Sequence, residues 1–210
     1  MGDSGRGRHG VGGDELTAFC ADLSRSPCFI VAGPNRSGRS SVLVGAARSV
    51  VAGGGQVVVL APRPSPLRDL AGQPGVLDVV TDATVPADHY DALAAEATEA
   101  SPVVVIIDDG EGLRDMKAGD FFSRVLKHQV PHVSFLLSGH LEGLCGGLSG
   151  WQKEAQKVRQ GMVLSPQGLS DGDFIGTRIP RPLLGGAPSP GKGWLHNGDG
   201  RLVQVATVLP

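Results

Sequence analysis

"FIVAGPNRSGRSSVLV" spans residues 29–44. Its apolar opening stops at a glycine, and a helix-periodic segment starts at Arg39, so it reads as strand, tight turn and helix. Between the two lies Gly33-Pro-Asn-Arg-Ser-Gly38-Arg39-Ser40, the G-x-x-x-x-G spacing of a phosphate-cradling loop, with arginine where lysine is usual. Glycines at both ends let successive N–H groups point into one concavity, and the helix start adds its positive end. The candidate nucleotide ligands are Gly33, Asn35, Arg36, Ser37, Gly38, Arg39, Ser40 and Ser41, and the Ser40 hydroxyl is a candidate Mg²⁺ ligand. A wide planar guanidinium meets phosphate in a different geometry from a lysine ammonium, so Arg39 leaves turnover open even where binding survives. A glycine-rich turn that merely caps a helix is the plainer alternative.

A second stretch, "VVVIIDDGE" (103–111), is a fully apolar strand ending in two aspartates. Asp108 at its end is the candidate to hold Mg²⁺ through water. Asp109 stands where a water-polarising glutamate is usual and is one methylene shorter, so it is a degenerate catalytic candidate. Glu111 lies two residues on. "QVVVLAP" (56–62) and a further strand (75–82) lie between the two motifs along the chain. Ser138, ending the strand "HVSFLLSGH" (132–140), is a candidate γ-phosphate sensor or simply a turn serine.

The rest of the chain frames these motifs. Helices are expected over 39–52, 85–100, 118–129 and 151–160, and a strand over 161–166. A tail hairpin turns around Asn197–Gly200 and is expected to add an antiparallel edge to the sheet. Apolar strands alternating with helices predict an α/β fold whose mostly parallel central sheet is flanked by helices, and ligands sit at the carboxyl ends of such strands. Residues 1–13 are Gly/Arg-rich and read as a flexible linker, leaving 14–210 as the domain.

Composition excludes little but tilts the balance. The 210 residues carry a net charge of -2, which does not demand nucleic acid as a partner. No apolar run is long enough to span a bilayer, and no hydrophobic stretch follows the charged start. Cys20, Cys28 and Cys145 have no CxxC spacing and read as reduced thiols, and the histidines make no metal spacing.

Taken with the tail "GMVLSPQGLSDGDFIGTRIP…PGKGWL…VQVA", these motifs resemble the FtsK/SpoIIIE-type ATPase domains. The likeness runs from about Gly13 to the end, and is greatest to the later, degenerate domains of the EccC/EssC proteins of type VII secretion. The resemblance implies a RecA-like P-loop (ASCE) fold and ATP with Mg²⁺ as cofactors. It implies adjacent ATPase domains of the same longer chain as partners, homo-oligomers, and a cytoplasmic location on a membrane-anchored protein. In secretion members the last domain also receives the C-terminal signal peptide of a small helical substrate. Gly191, Lys192 and Gly193 become candidates to line the base pocket, and Arg159 and Arg178 candidates to reach a neighbour's phosphates.

Both departures, at Arg39 and Asp109, touch hydrolysis more than binding. The favoured expectation is therefore an ATP-binding domain with weak or no hydrolysis and a regulatory or substrate-recognition role in protein export. A DNA-translocating motor would want the lysine, the glutamate and a basic pore-facing stretch, all lacking here. A nucleotide-free peptide-binding scaffold is the third reading, with Leu141, Leu144, Leu148 and Trp151 as the edge of its groove.

Overall fold

A computed structural model describes residues 6–12, 17–23, 26–145, 150–185 and 189–206. In chain order the strands are β1 (Arg6–Gly12), β2 (Thr17–Asp22), β3 (Cys28–Ala32), β4 (Gln56–Leu60) and β5 (Val76–Val80). They continue with β6 (Val103–Ile107), β7 (Val133–Gly139), β8 (Gly161–Leu164), β9 (Lys192–His196) and β10 (Leu202–Ala206). The α-helices are α1 (Arg39–Ala52), α2 (Ala87–Ala94), α3 (Gly119–Leu126), α4 (Leu141–Cys145) and α5 (Trp151–Gln156).

All ten strands form one sheet in the order β2-β1-β10-β9-β8-β3-β7-β6-β4-β5. From β8 to β5 every neighbouring pair is parallel. From β8 back to β2 every pair is antiparallel. The central strands β3 and β6 are apolar throughout because both of their faces are covered, whereas β5 at the sheet's end is half-buried and carries Asp78. Cys28, Ile30 and Ala32 of β3 join Val103, Val105 and Ile107 of β6 in the core beneath α3 and α5. The alternate residues Phe29, Val31, Val104 and Ile106 join Val42, Leu43, Ala46 and Ala47 of α1 on the opposite face.

The chain's few aromatics are concentrated on the first face. Tyr90, Phe121, Phe122, Phe135 and Trp151 form a continuous set of ring contacts, the shortest being Phe122–Trp151 at 4.8 Å between centroids. Such contacts add roughly 0.5–1.5 kcal/mol each beyond area burial. Leu144 and Trp151 are 1% and 2% exposed, so these two belong to the core and do not edge a groove. Leu148 lies outside the described residues. Cys28 is a free thiol, and complete burial pushes its pKa well above the ordinary value. The side chains of Cys20 and Cys145 lie outside the description.

Some expectations change in detail. Arg6–Gly12, read from sequence as part of a linker, pairs as β1 with β2 and β10. A glycine-rich stretch has no apolar alternation to announce a strand. The β9–β10 hairpin has the predicted turn, with Leu202 opposite His196, but β1 and β2 extend the sheet past it, so it is not an edge. The helix expected over 85–100 ends at Ala94. Beyond it Thr98 and Ser101 exchange main-chain hydrogen bonds, and Thr98 Oγ1 also accepts from the Ser101 N–H at 3.0 Å, a local turn that competes with helix.

Candidate functional site

The two motif strands, β3 and β6, do not touch. The strand between them is β7, which pairs with both, while β4 lies on the far side of β6. Thus β7 separates the motifs in space, whereas "QVVVLAP" separates them only along the chain. The carboxyl ends of β3, β7, β6 and β4 consequently line one edge, bearing Gly33, Gly139, Asp108 and the Ala61–Ser65 loop. The Gly33 N–H donates to the Gly139 carbonyl at 3.3 Å, tying the start of the phosphate loop to the end of β7.

The loop's shape is set mainly by backbone. Gly38 caps α1 in a left-handed conformation (φ 99°), and a Cβ there would lie 2.8 Å from the Gly191 nitrogen. That nitrogen donates to the Ser37 carbonyl at 2.9 Å, so the Pro190-Gly191 turn clips the loop from outside. At Gly33 a Cβ would come within 2.6 Å of Ser37 Oγ. Ser37 itself is fully buried and its hydroxyl has no hydrogen-bond partner in the described structure. Asn35 and Arg36 are exposed at the loop's tip, while Ser40 and Ser41 sit half-buried in the first turn of α1. The first N–H groups of that turn have no partner within the helix, as at any helix start.

Arg39 is 9% exposed and spans the loop from its last residue to its first. Nη1 donates to the Gly33 carbonyl, and Nη2 pairs with Asp109 Oδ1 at 3.0 Å. Asp109 is held in a left-handed conformation (φ 52°, ψ 47°). Its N–H faces Asp108 Oδ1 at 3.2 Å and Ser138 Oγ at 3.3 Å.

Asp108 is 3% exposed, and both of its oxygens accept hydrogen bonds. Ser138 Oγ donates to Oδ1, and Ser65 Oγ donates to Oδ2 at 2.7 Å. Ser138 is completely buried against the carboxylate. The sequence reading missed Ser65. It follows β4 by a few residues, in "APRPSP", where its only sequence-level signal is capping the 3₁₀ turn Pro66–Leu70 through the Leu67 N–H. Glu111 is held away from this pair. Its Oε2 accepts the His140 N–H at 3.2 Å, and Arg63 lies 3.8 Å from Oε1.

These residues fit a phosphate-bearing ligand with Mg²⁺. The fit rests on a glycine-shaped concavity at a helix start, a buried orphan hydroxyl at Ser37, a guanidinium across the mouth and an oriented buried carboxylate at Asp108. Of the further candidates, Gly191 touches the loop directly, Lys192 is exposed and Gly193 is buried beside β8. Arg159 and Arg178 are both exposed. Among the described residues no group of three or more His, Cys, Asp or Glu is arranged to hold a metal on its own, and no helix is long and apolar enough to cross a membrane.

A mostly parallel sheet with the loop strand and the acidic strand on either side of a third defines the P-loop ATPase fold, and the chain has that fold. Its structural neighbours are the EccC and EssC ATPase domains. It is similar to ATPases 2 and 3 of Thermomonospora curvata EccC, solved in complex with a signal sequence peptide (TM-score 0.76, 15% identity, covering 99% of this chain and 41% of that one). It is likewise similar to ATPases 2 and 3 of EssC from Geobacillus thermodenitrificans (TM-score 0.77, 16% identity, 98% and 41%). A further match is the pCW3 conjugation coupling protein TcpA with ATPγS (TM-score 0.71, 14% identity, 97% and 66%). The chain thus spans less than half the length of the EccC and EssC chains. No family model and no curated protein matches it.

Proposed function

We propose that this chain is a nucleotide-binding module of the type VII secretion kind, taking Mg-ATP with weak or no hydrolysis and serving a regulatory or substrate-receiving role in export. The observation that carries the reading is Arg39. It joins the phosphate loop to the acidic strand end through Gly33 and Asp109, so the binding half of the site is assembled while the group next to Asp108 is engaged elsewhere. In this reading the loop N–H groups hold the phosphates, with Arg39 lying across the mouth beside them. Ser40 and Asp108 hold Mg²⁺, Asp108 through water, with Ser65 and Ser138 fixing the carboxylate's orientation. Bound Mg²⁺ supplies neutralisation of phosphate charge. Asp109 stays paired with Arg39 and so does not serve as a water-polarising base.

The similarity to EccC and EssC domains supports this setting, including neighbouring ATPase domains as partners and a cytoplasmic position on a membrane-anchored protein. One of those relatives is seen with a signal sequence peptide, which favours a peptide-receiving role over a DNA motor. Isothermal calorimetry with ATP or ADP and Mg²⁺ tests the reading. Wild type is expected to bind in the micromolar range and Ser40→Ala/Asp108→Ala to lose that binding. No heat from wild type with either ATP or ADP at millimolar concentration overturns it and directs the search to peptide ligands.

A further inference from the structure

Arg39 and Asp109 form an ion pair with side chains 10% and 23% exposed, partly withdrawn from water. The aspartate is not there by flexibility. Its backbone is fixed in the left-handed region, and its N–H is held by Asp108 and Ser138. The other two carboxylates nearby are otherwise engaged, Asp108 by two serine hydroxyls and Glu111 by the His140 N–H and Arg63. Among the described residues Asp109 is therefore the carboxylate salt-bridged to the loop arginine.

A guanidinium presents its donors in a rigid plane, and a carboxylate and a phosphate compete for the same edge of it. A terminal phosphate approaching Arg39 would meet an edge already taken and a like charge beside it. We propose that Asp109 is a specificity-determining residue, an internal counter-ion that occupies Arg39 and sets the site against triphosphate relative to diphosphate. This deepens the nucleotide-site reading and rests on it.

Asp109→Asn is the cleanest test, because asparagine tolerates the left-handed backbone and removes only the charge. Asp109→Gly is the second variant, since glycine adopts that conformation freely. The probes are adenosine 5′-(β,γ-imido)triphosphate and ADP, each with Mg²⁺, titrated calorimetrically into the 210-residue chain. A non-hydrolysable probe keeps blocked turnover from counting as tighter binding. The imido analogue is expected to bind about tenfold more tightly to either variant, the scale of one charge-assisted hydrogen bond. The gain for ADP should be smaller, and in an Arg39→Gln background the gain for the analogue should fall below about threefold.

Unchanged or weaker analogue binding in both variants, where wild type binds ADP or the analogue, overturns this proposal and leaves the nucleotide-site reading standing. An equal gain in the Arg39→Gln background also overturns it, because the effect would then be charge repulsion without capture of the arginine. If neither wild type nor any variant binds nucleotide, both readings fall together. A wild type that binds ADP but ignores the analogue, beside an Asp109→Asn chain that binds both, supports both readings.

Discussion

The phosphate loop and the acidic strand end lie along the same edge of one sheet, yet they are built differently. The loop takes its form from main chain: a left-handed Gly38, a Gly33 with no room for a side chain, and the Gly191 N–H clipping the Ser37 carbonyl. The acidic end takes its form from side chains, with Asp108 held between Ser65 and Ser138. A backbone cradle tolerates change in what it presents, so lysine can give way to arginine while the concavity stays. A side-chain lattice changes its chemistry with each substitution. The two halves can thus drift separately, one retaining binding while the other loses turnover.

Gly38→Ala should break the contrast most strongly. It forces a Cβ into the left-handed region and against the backbone of the Gly191 turn, and a loss of roughly 2–4 kcal/mol is expected by urea denaturation. Nucleotide binding should vanish with it. Ser138→Ala removes one donor from a buried carboxylate and should cost about 1–3 kcal/mol by the same measurement, leaving the loop shape intact. Ser65→Ala, at a partly exposed position, should cost about 0.5–2 kcal/mol, shared between the lost cap and Asp108. Its sharper readout is the Mg²⁺ dependence of nucleotide affinity, which Ser65→Thr should restore. Equal losses from Gly38→Ala and Ser65→Ala would show that the two halves are not separately built.

How far the sequence discloses this arrangement follows the same division. The strand–loop–helix unit is legible to the residue: α1 begins at Arg39 and ends at Ala52, where the periodicity and the glycine run place it. Apolar runs disclose β3, β4, β6 and β7 because strands buried on both faces are mostly apolar, even though β7 carries the buried Ser134 and Ser138. The interlock at Asp108 is less legible. Ser65 reads only as a cap, because its second partner is brought to it by pairing of β4 with β6. The order of strands in space is also absent from local pattern, so β7 emerges between the motif strands only in three dimensions. Likewise α5 is expected through residue 160 but stops at Gln156, and Arg159 beyond it adopts a positive φ of 52°. No periodicity signals that reversal.

The clip between Gly191 and the Ser37 carbonyl has a consequence for the order in which the site comes into being. Its two partners lie far apart along the sequence, and a contact of such sequence separation forms late, after the loop-closure entropy has been met by other pairings. A nascent chain that has emerged only as far as β8 holds the strand before the loop, the helix after it and both aspartates. It still lacks the turn that fastens the loop's back. The back of the loop is therefore fastened only once the turn that leads into β9 has been made.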